Sequence, residues 1–180
     1  VFGKSFSADI LIEKNQYILL CREKLSQFTV TRIMVDETKD SVQEAIISAI
    51  VDLVPETGTT VQVDPGPSLV SLSSDQASIL SQYNIRLDIG RVHNKQKNPV
   101  AENAIKEFRK EWLRFKPDGS SLNEVERAQI TATMNRRIRL NGLAPKEFLL
   151  KRGLIDHEPL MVQDEVEGQK QFDRRLSHNS

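Results

Sequence analysis

Cysteine is nearly absent from this sequence: Cys21 is the only one among 180 residues. A single cysteine excludes an internal disulfide framework and a cysteine-rich zinc site within this chain. Because Cys21 lies inside the apolar run YILLCRE, we expect it to be a small buried side chain of the core.

Long hydrophobic runs are also absent. No run approaches the roughly 20 apolar residues that cross a bilayer, and the N-terminal residues do not follow the pattern of a signal peptide. These absences favour an intracellular protein without a membrane partner. Hydrophobic residues make up 38% of the chain and charged residues 28%, which is typical of one folded domain. Because the chain begins with Val1 rather than methionine, we expect it to be a segment of a longer polypeptide.

An excess of positive charge, the usual mark of a nucleic-acid-binding protein, is missing from the chain as a whole, whose net charge is zero. The charge is unevenly distributed, however. Residues 1–64 carry 6 Lys or Arg against 10 Asp or Glu, residues 91–116 carry 8 against 3, and residues 127–152 carry 7 against 1. Two interpretations of the basic segments remain open: a nucleic-acid-binding patch, or ordinary solvated helix surfaces.

The first 35 residues contain three runs rich in β-forming residues, approximately 5–12, 16–23 and 29–35, separated by polar breaks. They predict an antiparallel meander. Residues 41–54 have apolar side chains at spacings of three and four, which predicts an amphipathic helix. A short strand, TTVQVD, then ends at Asp64 before the turn PGPS. A helix over residues 69–82 and a strand IRLDI follow.

The second half of the chain predicts helices. Asn98 is placed to cap the amino end of a helix that contains Glu102 in its first turn. A last long helix is predicted to begin at Ser121, whose hydroxyl can form a capping box with Glu124, and APKEFLL predicts a short helix. From residue 155 the chain is polar and acidic without a clear period. We therefore divide the chain into a folded domain, residues 1–153, and a linker or tail, residues 154–180.

The order of elements predicts the fold class. Three strands come first, then strands and helices alternate, and helices end the chain. This order indicates an α/β protein with a five-stranded mixed sheet, in which the first three strands form the antiparallel meander and the fourth and fifth are parallel, with helices on both faces.

Three acidic residues are candidates for chemistry. Asp9 lies in an apolar strand, where a carboxylate is costly to bury unless it is paired, protonated or bound to a cation; alternatively it faces solvent. Asp64 ends the fourth strand and is either a ligand or a turn-forming residue. Glu102 is either a ligand or a favourable charge at a helix start. Because such sheets bind ligands beyond the carboxyl ends of their strands, the three acids together indicate a site for a divalent metal.

The segments that carry these acids resemble a known family. SADI contains Asp9, VQVDPGPSLVSL contains Asp64, NKQKNPVAENAIKEFRK contains Glu102, and MNRRIRLNGLAPKEFLL matches a late helix and closing segment. Together they are similar to the catalytic core of retroviral and long-terminal-repeat retrotransposon integrases, nearest to the Ty3/gypsy type, within the ribonuclease H-like superfamily. The resemblance covers about residues 6–152, and the 37 residues between Asp64 and Glu102 are close to the family's customary gap.

The resemblance implies a function. Asp9, Asp64 and Glu102 would form the catalytic DDE triad and bind two Mg²⁺ or Mn²⁺ ions. The protein would process the 3′ ends of retroelement DNA and join them to host DNA, as a dimer or larger homo-oligomer. It would act in the nucleus after residing in a cytoplasmic particle. Two alternatives share the fold: a nuclease that only hydrolyses, and a domesticated or decayed module that binds nucleic acid without catalysis.

Candidate DNA-binding residues surround the third acid. Lys106 and Arg109 follow Glu102 at spacings of four and three, so the three side chains share one helix face and could hold phosphates beside the triad. The alternative is an intrahelical ion pair between Glu102 and Lys106. The preceding loop adds weaker candidates, namely His93, Asn94, Lys95 and Lys97. We expect Phe108 and Trp112 to pack in the core or in a subunit interface.

Overall fold

A five-stranded sheet lies at the centre of the computed structural model, which describes residues 2–67, 70, 79–90, 98–140, 142–160 and 162–179. The strands are β1 (Ser5–Glu13), β2 (Gln16–Glu23), β3 (Thr29–Met34), β4 (Thr59–Val63) and β5 (Ile85–Ile89). Their order across the sheet is β3-β2-β1-β4-β5. The pairs β1–β2 and β2–β3 are antiparallel, and β1–β4 and β4–β5 are parallel. The predicted mixed sheet is confirmed.

Helices cover both faces of this sheet. They are α1 (Lys39–Ile50), which continues into a 3₁₀ turn (Val51–Leu53), α2 (Ile79–Gln82), α3 (Pro99–Phe115), α4 (Glu124–Arg136), α5 (Pro145–Leu150) and α6 (Val162–Asn179). Within the described residues, none of these helices is both long and apolar enough to cross a membrane.

A tight hairpin fixes how β1 meets β2. Lys14 and Asn15 both have positive φ angles, 46° and 63°, the backbone conformation of a two-residue connection whose twist suits antiparallel strands. The turn pairs Glu13 with Gln16. Because successive side chains of a strand alternate between faces, this register decides which residues of β1 face each layer of helices.

The first hydrophobic core lies between the sheet and α1. Phe6 and Ala8 of β1 and Val61 and Val63 of β4 are buried there, against the apolar face of the helix. The buried residues of α1 are those with the predicted helical spacing: Val42, Ala45, Ile46, Ala49 and Ile50. Cys21 is fully buried in the same core, as the sequence predicted.

The second core lies on the opposite face, beneath α3 and α4. Phe108 and Trp112 of α3 are buried, with ring centroids 6.2 Å apart in an edge-to-face arrangement. Burial of one such side chain contributes about 1.5–3 kcal/mol. Leu11 of β1 and Leu20 of β2 pack in the same cluster. The prediction that both aromatic residues are buried is therefore confirmed, and they hold α3 against β1 and β2.

The exposed edge of β3 is covered by side chains of α4. Asn135 accepts a hydrogen bond from Thr29 N and donates one to Thr29 O, both at 2.8 Å, so its amide imitates a neighbouring strand. Arg127 donates to Thr31 O at 2.9 Å. Satisfying these backbone groups removes an edge on which another chain could pair.

The predicted start of the last long helix is wrong by several residues. The helix begins at Glu124 rather than Ser121, because Asn123 is the N-cap and forms the reciprocal capping box with Glu126. The short-range pattern of Ser121 and Glu124 fits the same motif. In the structure Leu122 packs into the core and its backbone N–H and C=O are hydrogen-bonded to the side chain of Gln16, so the helix starts later.

The segment predicted to be an irregular tail contains a helix, α6. Arg175 of this helix donates to Lys24 O at 3.2 Å and Leu25 O at 2.9 Å, so the helix contacts the turn after β2. The helix was missed because its sequence is rich in Gln, Glu, Lys and Arg, which favour helix without an apolar period. The division into domain and tail stays a prediction.

Candidate active site

The register of the central strands brings two of the three acids together. The parallel pairing of β1 with β4 ends at the pair Ala8 and Val63. Asp9 and Asp64 are the next residues in the two segments, and so they stand side by side where the ladder ends. Since Ala8 and Val63 face the α1 core, alternation directs Asp9 and the end of β4 toward the face covered by α3.

The third acid, Glu102, lies in the first turn of α3. The backbone N–H of Glu102 donates to Asn98 O at 3.0 Å, which is the first hydrogen bond of the helix. The side chain of Asn98 is completely buried, and its Nδ2 donates to Ala8 O at 3.1 Å and Gln62 O at 3.3 Å. Asn98 therefore fixes the start of the helix to the point where β1 and β4 stop pairing, beside Asp9 and Asp64.

This geometry corrects one detail of the sequence prediction. Asn98 occupies the N-cap position and is followed by Pro99 at the first helical position, but its side chain makes no capping hydrogen bond. The amide is used for the strands instead. Asparagine before proline at a helix start carries no sequence signal for such a contact, so sequence reasoning assigned Asn98 only a local role.

The electrostatics of Asp9 show that the three carboxylates influence one another. Burial raises the pKa of Asp9 above its usual value, and the negative charges of Asp64 and Glu102 raise it further. A hydrogen bond of 2.8 Å from Ile10 N to Oδ1 of Asp9 acts in the opposite direction. The edge of the sheet thus carries concentrated negative charge.

The three carboxylates share this edge without converging. Among the residues that the structure describes, no three His, Cys, Asp or Glu side chains lie close enough to ligate one ion. Asp9 and Asp64 are half-buried and Glu102 is exposed, so Glu102 has room to change rotamer. Carboxylates repel one another unless a cation lies between them. Oxygen ligands of this kind suit Mg²⁺ or Mn²⁺, so the chemistry of the three side chains fits such an ion.

The predicted DNA-binding residues have different surroundings. Lys106 is exposed, and the salt bridges of the described residues do not join it to Glu102. Arg109 instead pairs with Glu13, with Nε 2.8 Å from Oε2. The four loop candidates, His93, Asn94, Lys95 and Lys97, lie outside the described residues.

A buried cluster of charged side chains, which the sequence did not predict, holds α3 against β2. Glu107 accepts hydrogen bonds from Arg22 of β2 at 2.8 Å and from Arg139 at 3.0 Å. Arg22 is 3% exposed. We define the Glu107 cluster as Glu107, Arg22, Arg137 and Arg139. Because Glu107 is five residues after Glu102, the cluster sets the position of the helix that carries the third acid.

Comparison with known proteins supports the fold. No family model matches the chain. No curated protein sequence matches it either. Among solved structures, the chain is similar to the catalytic core domain of BIV integrase, with a TM-score of 0.66 and 17% sequence identity over 83% of this chain and 95% of that one. The likeness confirms the predicted fold class, and the chain has the ribonuclease H-like fold of a retroviral integrase catalytic core.

Proposed function

We propose that this chain is a DNA-processing and DNA-joining catalytic core of the integrase type, with Asp9, Asp64 and Glu102 as its metal-binding triad. One observation carries the proposal: the register of β1 with β4, together with the attachment of α3 through Asn98, gathers three acids from distant segments at one edge of the sheet. Acids that served only as turn formers or helix charges need not have shared one edge of the sheet.

The triad explains how the reaction is catalysed. Water or a DNA 3′-hydroxyl attacks a phosphodiester, a new phosphorus–oxygen bond forms, and the bond to the leaving oxygen breaks. Two divalent ions, when bound, stabilise the negative charge on the attacking and leaving oxygens. Asp9, Asp64 and Glu102 would hold these ions through their carboxylate oxygens. The chain supplies no covalent intermediate, so its contribution is positioning and electrostatics.

The helix that carries Glu102 also offers a contact for the DNA backbone. Lys106 is exposed one turn after Glu102, where its ammonium group can bind a phosphate next to the one that reacts. Such a contact fixes the position of DNA without reading its sequence. Binding to retroelement ends and target DNA, action in the nucleus and assembly into a dimer or larger oligomer belong to the same proposal.

A branched DNA substrate tests the proposal most directly, because the reversal of strand joining depends least on domains outside this core. The chain is incubated with Mg²⁺ or Mn²⁺ and a branched duplex, and the products are separated by length. We expect resealed target strand and released donor end. Asp64→Asn should abolish both, and Asp88→Asn is the matched control, since Asp88 is an exposed acid within β5.

The products distinguish the alternatives. Cleavage without resealing would indicate a nuclease that only hydrolyses, and DNA binding without products would indicate a non-catalytic module. Equal activity of wild type and the Asp64→Asn variant would refute the role of the triad.

A further inference from the structure

Asn98 joins all three elements that carry the acids. Its side-chain Nδ2 reaches Ala8 O, one residue before Asp9, and Gln62 O, two residues before Asp64. Its own carbonyl accepts the first helical hydrogen bond from Glu102 N.

The location of these bonds matters because β1 and β4 stop pairing there. Ala8 and Val63 form the last pair of the ladder. Buried backbone carbonyl groups need hydrogen-bond donors, and Asn98 donates to one carbonyl of each strand. The buried amide of Asn98 supplies one donor group to both strands, and so it sets their separation where the acids begin.

We propose that Asn98 is a positioning residue for the metal site: it fixes the distances among Asp9, Asp64 and Glu102 without contacting the metal. This inference rests on the proposed function, because it assumes that the three acids bind divalent cations. Asn98 would belong to the residues that hold metal ligands in place without touching the metal. Replacement of such residues typically weakens metal affinity by about 10- to 100-fold.

The chain offers a matched control for this role. Asn135 is likewise buried and also makes two hydrogen bonds to a strand, both to Thr29 of β3. Its replacement removes a comparable pair of bonds and should cost comparable stability. Thr29 lies on the edge strand two strands away from β1, so the acids should keep their spacing.

The experiment measures Mn²⁺ binding by titration calorimetry and by the electron paramagnetic resonance signal of free Mn²⁺, and it does not depend on activity. Wild type, Asn98→Ala, Asn98→Ser, Asn135→Ala and Asp64→Asn are compared as folded proteins at a temperature well below each unfolding midpoint. Asn98→Ser is included because a hydroxyl with space for water keeps a polar group at this buried position, so this variant should fold even where alanine is not tolerated. We expect the dissociation constant to rise about 10- to 100-fold in the Asn98 variants and to stay within about twofold of wild type in Asn135→Ala.

Different outcomes separate this inference from the proposed function. Wild-type affinity in a folded Asn98 variant would overturn the positioning role while leaving the triad intact. An equal loss in Asn135→Ala would also overturn it, because general destabilisation would then explain the effect. If Asp64→Asn binds as much Mn²⁺ as wild type, or if wild type binds none, the metal site itself is refuted. The positioning role of Asn98 is then refuted as well.

Discussion

Arg109 of α3 is bound to Glu13, the last residue of β1, with Nε 2.8 Å from Oε2. The pair ties the middle of the helix to the end of the central strand, on the same side of the molecule as Glu102. Arg109 therefore has a protein partner that competes with DNA phosphate, whereas Lys106 forms no salt bridge with another described residue. The two cations that the sequence places on one helix face should differ in their contribution to DNA binding.

We predict that Lys106→Gln weakens DNA binding more than Arg109→Gln does. Loss of one phosphate contact lowers the slope of log affinity against log salt by about 0.9, and we expect this change for Lys106→Gln. Glu13→Gln should strengthen binding, since an exposed salt bridge contributes only up to about 1 kcal/mol and its removal makes the guanidinium available. Fluorescence anisotropy of labelled duplex DNA at several salt concentrations measures these slopes.

Lys4→Gln is the control for this series, because Lys4 is exposed before the amino end of β1, at the opposite end of the strand. A reduction in slope for Arg109→Gln as large as that for Lys106→Gln would contradict the difference argued from the Glu13 contact.

We predict that Asp9→Asn stabilises the protein when no divalent cation is present. Burial, with the charges of Asp64 and Glu102, raises the pKa of Asp9, so the folded state binds this proton more tightly than the unfolded state does. The stability of the cation-free protein therefore falls as pH rises from about the ordinary value of 3.8 through the raised folded value. Thermal unfolding in EDTA should give a higher midpoint for the variant at pH 7 and equal midpoints near pH 3.

A second aspartate provides a control of opposite sign. Hydrogen bonds from Ser41 and Thr38 lower the pKa of Asp36, so Asp36→Asn should lower the midpoint at pH 7 and lose its effect in acid.

Saturating Mg²⁺ should raise the midpoint of wild type, because a ligand present at 100 times its dissociation constant stabilises by about 2.7 kcal/mol. The same addition should leave Asp9→Asn unchanged, and an equal rise in both proteins would be evidence against Asp9 as a ligand.

We predict that Glu107→Gln destabilises the fold by about 3 kcal/mol, the lower end of the range for breaking a buried ion pair, because Arg137 of the cluster is partly exposed. Burial alone would raise the pKa of Glu107, but the hydrogen bonds and charges of Arg139 and Arg22 outweigh it and lower the pKa. The stabilisation is present above the ordinary value of 4.5 and is lost as pH falls through the lowered value.

Urea unfolding at pH 7 and at pH 3 measures both effects. The variant should lose most of its deficit relative to wild type at the lower pH. Glu124→Gln is the comparison, since Glu124 pairs with Arg127 but its side chain is 67% exposed, and a change of no more than about 1 kcal/mol is expected there. Equal losses in the two variants would show that burial of the Glu107 cluster does not matter.

The sequence predicted most of the sheet because its strands have strong local signals. The alternation in β1 predicts Phe6 and Ala8 on one face of the sheet and Ser7 and Asp9 on the other. The structure has the same arrangement, with Phe6 and Ala8 in the α1 core. The sequence also singled out one acid inside a strand, one at the end of a strand and one in the first turn of a helix. What it could not supply was the parallel register of β1 with β4, because residues more than 50 positions apart set that pairing and no local pattern records it.

Long-range side-chain contacts explain the other misses. Asn98 suits a helix cap by its residue type, yet its amide bonds to strands 36 and 90 positions away along the chain. Arg22 stands at the end of an apolar run and no local pattern marks it as buried, yet it is buried against Glu107, 85 positions later. Each of these side chains is polar at a buried position, where tertiary hydrogen bonds override local preference.

We predict that the thiol of Cys21 is unreactive in the native protein. Cys21 is fully buried and pairs with Ala8 across β1 and β2, and burial raises the pKa of the thiol to about 12. Since the thiolate is the reactive form, an aromatic disulfide reagent should label no thiol at pH 8 under native conditions and one thiol per chain in guanidinium chloride. Because Ala8 directly precedes Asp9, rapid native labelling would mean that β1 and β2 separate beside the acids, which the packed α1 core argues against.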